Sequence, residues 1–199
     1  MKFICIGKNY SEHVKEMGWK DDHDIVLFMK PETAWCKSNE VPYPTFTKDL
    51  QYETELIIQV KQTLKNASVE KALESIDKIS VGIDFTARDI QVQLKKKGMA
   101  WEISKSFDNS AVVGEWRTFD KNKTYRFHLE RNGIVVQQGS SNQMMVSFAE
   151  LLSKASEYFT ILPDDIVFTG TPANVGSVYK NDVLSGYLEN EKLFEIKII

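Results

Sequence analysis

The chain has 199 residues, 42% of them hydrophobic and 27% charged, with a net charge of −3 at neutral pH. That balance excludes a disordered or fibrous chain. Without a basic excess it also excludes a general affinity for nucleic acid or anionic membrane. A chain this long buries roughly 70% of its unfolded surface, so one domain over 1–199 is the expected organisation. Only two cysteines occur, Cys5 and Cys36, with no C-x-x-C spacing. No apolar run reaches the roughly 7–15 residues of a signal peptide or the about 20 of a membrane helix. A reducing cytoplasm is the expected compartment.

In chain order, short runs rich in Val, Ile, Phe and Tyr predict a strand over 3–6, then a short helix over 11–17 that stops at Gly18. Further strands follow over 25–29 and 53–60, a surface helix over 66–77 and a strand over 79–84. Thr86-Ala-Arg-Asp89 reads as a helix start, with Ile90 and Leu94 on one face and Gly98 as the stop. Strands at 111–113, 125–131 and 134–138 come next, the last two joined by Asn132-Gly133, a type I′ turn signal. Ser147-Phe-Ala-Glu150 is a capping box before Leu151, Leu152, Ala155 and Phe159. Strands at 165–169, 182–188 and 193–198 close the chain. The sum is a mixed α+β, strand-rich fold.

The chemistry concentrates in Tyr52-Glu-Thr-Glu-Leu-Ile-Ile-Gln-Val60. On a strand Glu53 and Glu55 point to one side and Thr54, Leu56, Ile58 and Val60 to the other. Two convergent carboxylates need a cation or a proton between them; on alternation alone, a solvated strand face is the ordinary outcome. Asp84 ends an apolar strand just before a helix, where ligand sites of α/β proteins commonly form. Glu53, Glu55 and Asp84 would make an all-oxygen site suited to Mg²⁺, or Mn²⁺ in its place. Without the site, Asp84 is a strand-end turn residue.

These segments are carried in an ordered series: Cys5-Ile-Gly-Lys-Asn-Tyr-Ser-Glu-His13, Phe28-Met-Lys-Pro31, Tyr52-Glu-Thr-Glu55, Asp84-Phe-Thr-Ala-Arg-Asp-Ile-Gln91, Lys95-Lys-Lys-Gly98, Lys105-Ser-Phe107, Gln138-Gly139 and Val167-Phe-Thr-Gly-Thr-Pro172. The series resembles the fumarylacetoacetate hydrolase family, its single-domain acylpyruvate hydrolase and oxaloacetate decarboxylase branch. The resemblance implies a distorted β-roll, a homodimer, and a small-molecule 2-oxo acid as substrate. It implies metal ligation by Glu53, Glu55 and Asp84. His13 and Glu16 would be an acid/base pair on a mobile segment that closes over the site. Arg88, Gln91 and Lys105 would contact the substrate, with Lys105 among the catalytic groups, and Thr171 would face its carboxylate end. Pro163-Asp164-Asp165 and Ala173-Asn174 depart from the family's usual turns.

Each residue also has an ordinary reading. Arg88 pairs with a nearby structural acid, Asp84 or Asp89 among them, Lys105 is a solvated strand-edge lysine, and His13–Glu16 is an exposed helical pair. His23, within 21–24, reads as part of a solvated loop, His128 as structural, and Lys95–Lys97 as a solvated helix end. No Gly-rich phosphate loop, Gly-x-Ser-x-Gly elbow or His-Glu-x-x-His motif occurs, against a serine hydrolase or a nucleotide-driven enzyme. Hydrolytic C–C cleavage of an acylpyruvate, or decarboxylation of oxaloacetate, is the leading expectation. Isomerisation, tautomerisation or hydration of a 2-oxo acid is the alternative within enzymes, and a non-catalytic ligand-binding homologue the alternative outside them. Substrate specificity is expected in 17–24 and 173–180.

Overall fold

A computed structural model describes residues 1–18 and 25–199. In chain order the elements are β1 (Phe3–Gly7), α1 (Ser11–Glu16), β2 (Val26–Lys30), β3 (Glu40–Val41), β4 (Leu50–Tyr52), β5 (Thr54–Val60), α2 (Val69–Ser75) and β6 (Ile76–Asp84). They continue with β7 (Thr86–Ala87), α3 (Arg88–Lys96), α4 (Glu102–Lys105), β8 (Ala111–Val113), β9 (Arg117–Thr118), β10 (Arg126–Arg131) and β11 (Ile134–Ser140). The last are α5 (Phe148–Tyr158), β12 (Ile166–Phe168), β13 (Gly176–Ser177), β14 (Val183–Leu188) and β15 (Glu191–Ile198). The strand-rich α+β class expected from the sequence is the class adopted. Among the described residues no helix is long and apolar enough to cross a membrane.

The strands form three sheets. The largest runs β2-β1-β12-β5-β6-β8, with β9 also pairing β6. A second runs β11-β10-β14-β15-β3, and a small third runs β13-β4-β7. Strand β5 lies inside the first sheet and is buried on both faces. Leu56, Ile58 and Val60 pack with Leu151, Leu152 and Ala155 of α5. Ile57, on the opposite face, packs with Phe3, Phe28 and Phe168. Two-sided burial overturns the solvated-face reading of Glu53 and Glu55: their side of the pleat has no water to turn to.

The pairing of β5 with β6 sets Thr54 against Ile83 and Glu55 against Gly82, which brings Asp84 level with Glu53. The Asp84 N–H in fact donates to the Glu53 carbonyl at 2.8 Å. The Asn132-Gly133 turn has the two positive φ angles, 54° and 78°, that its sequence calls for. The Ser147–Glu150 capping box is present at the start of α5.

Four expectations are corrected. Thr86 does not cap a helix: Thr86–Ala87 pairs with Leu50–Gln51 as a strand, and α3 begins only at Arg88, whose N–H is held by the Asp49 carbonyl. The helix expected over 66–77 is confined to α2, because Asn66 adopts a positive φ of 48° and Ser68 supplies the cap. Lys105 ends the four-residue helix α4, too short to show a periodicity, and is buried rather than at a strand edge. Lys95 is not a freely solvated helix end, since its amine lies 5.2 Å from the centre of the Trp101 ring. His23 and most of 17–24 lie outside the described residues.

Candidate functional site

Three strand ends and two helices deliver the charged groups to one place. Glu53 precedes β5, Glu55 lies on it, and Asp84 ends β6. One carboxylate oxygen from each of the three lies within 4.8 Å of the others, and all three residues are buried. Lys105 Nζ donates to Glu53 Oε2 at 2.6 Å, Asp84 Oδ2 at 2.9 Å and Thr86 Oγ1 at 2.6 Å. Arg88, at the start of α3, donates from Nη2 to Glu53 Oε1, from Nη1 to Gln91 Oε1 and from Nε to Gln51 Oε1. Its acid partner is thus Glu53, not Asp84 or Asp89; Asp89 instead accepts from Thr47 and the Lys48 N–H.

Lys30 was not singled out in the sequence. It ends β2 with a fully buried side chain, its Nζ 2.8 Å from Asp84 Oδ1 and within reach of both Ser110 oxygens and the Lys105 carbonyl. Its signal was present in Phe28-Met-Lys-Pro31, but a lysine between apolar strand residues does not announce burial. Gln137 on β11 was also missed; it bonds Thr54 N, Thr171 Oγ1 and the Pro172 carbonyl.

The electrostatics separate Glu53 from Glu55. Burial works against ionising Glu53, yet Lys105 and Arg88 beside it hold its carboxyl far below the usual range. Glu55 goes the other way: burial, then Asp84 and Glu53, push its carboxyl well above the usual range. Its hydrogen-bond donor is the Gly170 backbone N–H at 2.7 Å, not a charged group. Lys105 keeps its charge, because Asp84 and Glu53 outweigh the burial that opposes it.

The donor set has the character of a divalent-cation site. Three hard oxygen donors converge, Glu55 with its raised carboxyl has a backbone N–H rather than a cation as its hydrogen-bond donor, and Asp84 Oδ1 receives no hydrogen bond of good geometry despite its ion pair with Lys30. Such a set fits Mg²⁺ or Mn²⁺ and carries no nitrogen or sulfur donor that zinc would prefer.

His13 on α1 is 3% exposed, with Nδ1 2.9 Å from Glu16 Oε2. The ordinary reading of an exposed pair therefore fails for the histidine. Burial lowers its pKa from the usual value, against the raising effect of Glu53 and Glu16. Glu16 Oε1 accepts from the Asn174 N–H at 2.9 Å, which ties α1 to the loop after Pro172. His13, Glu53, Glu55, Asp84, Gln91 and Lys105 line one small cavity together with Thr171, of about 10 Å³, room for about one water. All nine residues singled out from the sequence thus gather within one locality. His128 is placed apart, stacked on Tyr187 at 4.5 Å between ring centres.

With fold and site in hand, the class is that of the fumarylacetoacetate hydrolases. Residues 2–198 match the family model described as fumarylacetoacetate (FAA) hydrolase C-terminal. The chain belongs to this family. It is 35% identical over 199 residues to the oxaloacetate tautomerase YcgM of Escherichia coli, covering 96% of this chain and 90% of that one. It is 34% identical over 184 residues to the mitochondrial oxaloacetate tautomerase of Homo sapiens, covering 90% and 83%. Among solved structures it resembles the fumarylpyruvate hydrolase of Pseudomonas aeruginosa in complex with Mn²⁺ and pyruvate. That match has a TM-score of 0.93 and 30% identity, and covers all of this chain and 89% of the other.

Proposed function

We propose that the chain is a divalent-metal-dependent enzyme of small 2-oxo acids whose reaction is the keto–enol interconversion of oxaloacetate. One observation carries the reading: His13, buried and held at Nδ1 by the more exposed Glu16, lines the same cavity as Glu53, Glu55, Asp84 and Lys105. Proton transfer and carbanion stabilisation are all that tautomerisation needs, and two relatives of this chain bear that name.

Glu53, Glu55 and Asp84 would hold the ion, Mg²⁺ or Mn²⁺. When bound, it supplies a Lewis acid for the 2-oxo carboxylate unit. Glu16 holds the Nδ1 side of His13, so the proton exchanged with substrate travels on Nε2. In ketonisation the enol hydroxyl gives its proton to neutral His13, the electron pair re-forms the C2 carbonyl as the C2–C3 double bond opens, and His13 passes that proton to carbon 3 and is neutral again. The reverse path takes that proton from carbon 3 and returns it to oxygen. Lys105, held cationic by its acid neighbours, lowers the cost of negative charge on that oxygen. Three of the five Arg88 N–H groups are committed to Gln51, Gln91 and Glu53, leaving two for a substrate carboxylate. Gln91 gives its oxygen to Arg88, so its NH₂ is the end available to the substrate. The cavity has no room for a 2-oxo acid while α1 is latched to Asn174, so entry requires α1 to swing away.

The test follows the decay of enol oxaloacetate by its absorbance, with pyruvate assayed in parallel. Faster ketonisation with Mg²⁺, no pyruvate and reversal by EDTA are expected. Metal-dependent cleavage of an acylpyruvate without faster ketonisation would select the second reading, C–C hydrolysis, which the fumarylpyruvate hydrolase likeness favours. Pyruvate from oxaloacetate would select decarboxylation. None of the three would sink the 2-oxo acid reading.

The same reading takes 1–199 as one catalytic unit in a reducing cytoplasm, supported by two free, buried cysteines. It also takes the protein as a homodimer. Exposed Phe46 and Ile103 border an apolar groove of about 830 Å³ with Met29, Pro31 and Phe107, the kind of face a second copy covers. Sedimentation at twice the chain mass is expected, and a monomer at micromolar concentration would refute it.

A further inference from the structure

The proton on the Thr171 hydroxyl can be placed from its partners. Gln137 Oε1 accepts from the Thr54 backbone N–H at 2.9 Å, and Nε2 donates to the Pro172 carbonyl at 2.8 Å. A backbone N–H only donates and a carbonyl only accepts, so these two bonds fix which end of the amide is oxygen. The other Nε2 hydrogen serves Thr171 Oγ1, 2.8 Å away, which must therefore accept it. Thr171 Oγ1 is also 2.9 Å from the Thr54 carbonyl, an acceptor, so its single hydrogen is committed there. A hydroxyl has one proton and two lone pairs. The proton and one lone pair are taken, and no further partner occurs among the described residues. What the Thr171 hydroxyl has left to offer is one lone pair, and Thr171 lines the cavity.

The resemblance places Thr171 at the carboxylate end of the substrate, but a carboxylate is itself acceptor-only. Two acceptors repel. We propose instead that Thr171 is a specificity-determining residue that accepts a hydrogen bond from a ligand hydroxyl, with Gln137 as the positioning residue that imposes this polarity. The keto form of a 2-oxo acid has a carbonyl at carbon 2; the enol has a hydroxyl there. Thr171 thus favours the enol tautomer, and 2-hydroxy acids with it, over the keto form. Gln137 is 2% exposed, so water cannot relax the constraint. The inference rests on the 2-oxo acid reading above and adds which tautomer the site grips.

A matched ligand pair tests it: lactate, with a hydroxyl at carbon 2, and pyruvate, with a carbonyl at the same position. Both are titrated calorimetrically into the Mn²⁺-loaded full chain. Thr171→Val, nearly isosteric, should weaken lactate about tenfold and leave pyruvate within about twofold. Thr171→Ser keeps a hydroxyl and should restore lactate binding. Gln137→Leu removes the donor that keeps the Thr171 proton turned toward the Thr54 carbonyl, so the hydroxyl can rotate and the difference between the two ligands should narrow; an unchanged ratio in a folded variant removes Gln137 from the account. Equal weakening of both ligands by Thr171→Val, or none of either, overturns the proposal while leaving the 2-oxo acid reading intact. If the native protein binds neither ligand with Mn²⁺ present, that reading falls and takes this inference with it.

Discussion

His13 carries a definite pH signature. Burial lowers its pKa from the model-peptide value of 6.5, and Glu16 works in the opposite direction. A base must be neutral to accept a proton, so activity is lost as pH falls through the lowered pKa, and the acid limb of kcat/KM should lie below pH 6.5. Glu16→Gln removes a raising contribution, so the limb should move to still lower pH, read from the pH–rate profile; a shift upward would contradict the roles assigned. Glu53→Ala should abolish activity by loss of metal, whereas His13→Ala should lower kcat by about 10²–10⁴ with metal binding retained. The acids were legible at this scale because a strand alternates: Glu53 and Glu55 had to share a side, and Asp84 had to lie at a strand end. Lys30 and Gln137 were not. Their importance comes from partners 54 and 34 residues away, Asp84 and Thr171, and nothing local in Met29-Lys30-Pro31 or Val136-Gln137-Gln138 encodes that.

At the scale of elements, Gly170 joins β12 to the site. Its φ is +102°, and a Cβ there would meet Asn9 Cβ at 2.7 Å. Gly133, at the hairpin tip, has φ +78° and nothing within 4 Å. Gly133→Ala should cost about 1 kcal/mol from backbone conformation alone. Gly170→Ala adds a clash in a packed region, about 1–3 kcal/mol more, and displaces the N–H that holds Glu55. Urea midpoints of the two variants check this; equal losses would mean that the Asn9 contact is easily relieved. Ser147→Ala should cost about 1 kcal/mol by breaking the capping box of α5. That helix was legible because cap and apolar spacing agreed. The strands β3, β4, β7, β9 and β13 were not, being two or three residues long and defined only by distant partners, as when Leu50 pairs with Ala87. The same pairing removed Thr86 from the helix that propensity gave it.

For the whole molecule, the net charge of −3 says less than its distribution. Lys30, Lys105 and Arg88 compensate Glu53 and Asp84 directly and leave Glu55 to a backbone N–H. A buried acid in that position is stabilised by a divalent ion, so metal binding should raise Tm. At a hundredfold excess over Kd the gain is about 2.7 kcal/mol, or roughly 5–11 °C for a chain of this size, and EDTA should reverse it. Because Glu55 starts with a raised carboxyl, binding should release a proton and tighten as pH rises. Glu55→Gln relieves the crowding of acids without emptying the space, so the metal-free variant should be at least as stable as the native chain. The most direct measurement is a titration of Mn²⁺ into EDTA-stripped protein, followed by the electron paramagnetic resonance of the free ion, for the native chain and for Glu55→Gln. One tight site per native chain, weakened more than about tenfold in the folded variant, is the expected result. No tight site in the native chain, or one of equal affinity in both, would contradict the assignment of Glu53, Glu55 and Asp84 as the seat of the metal.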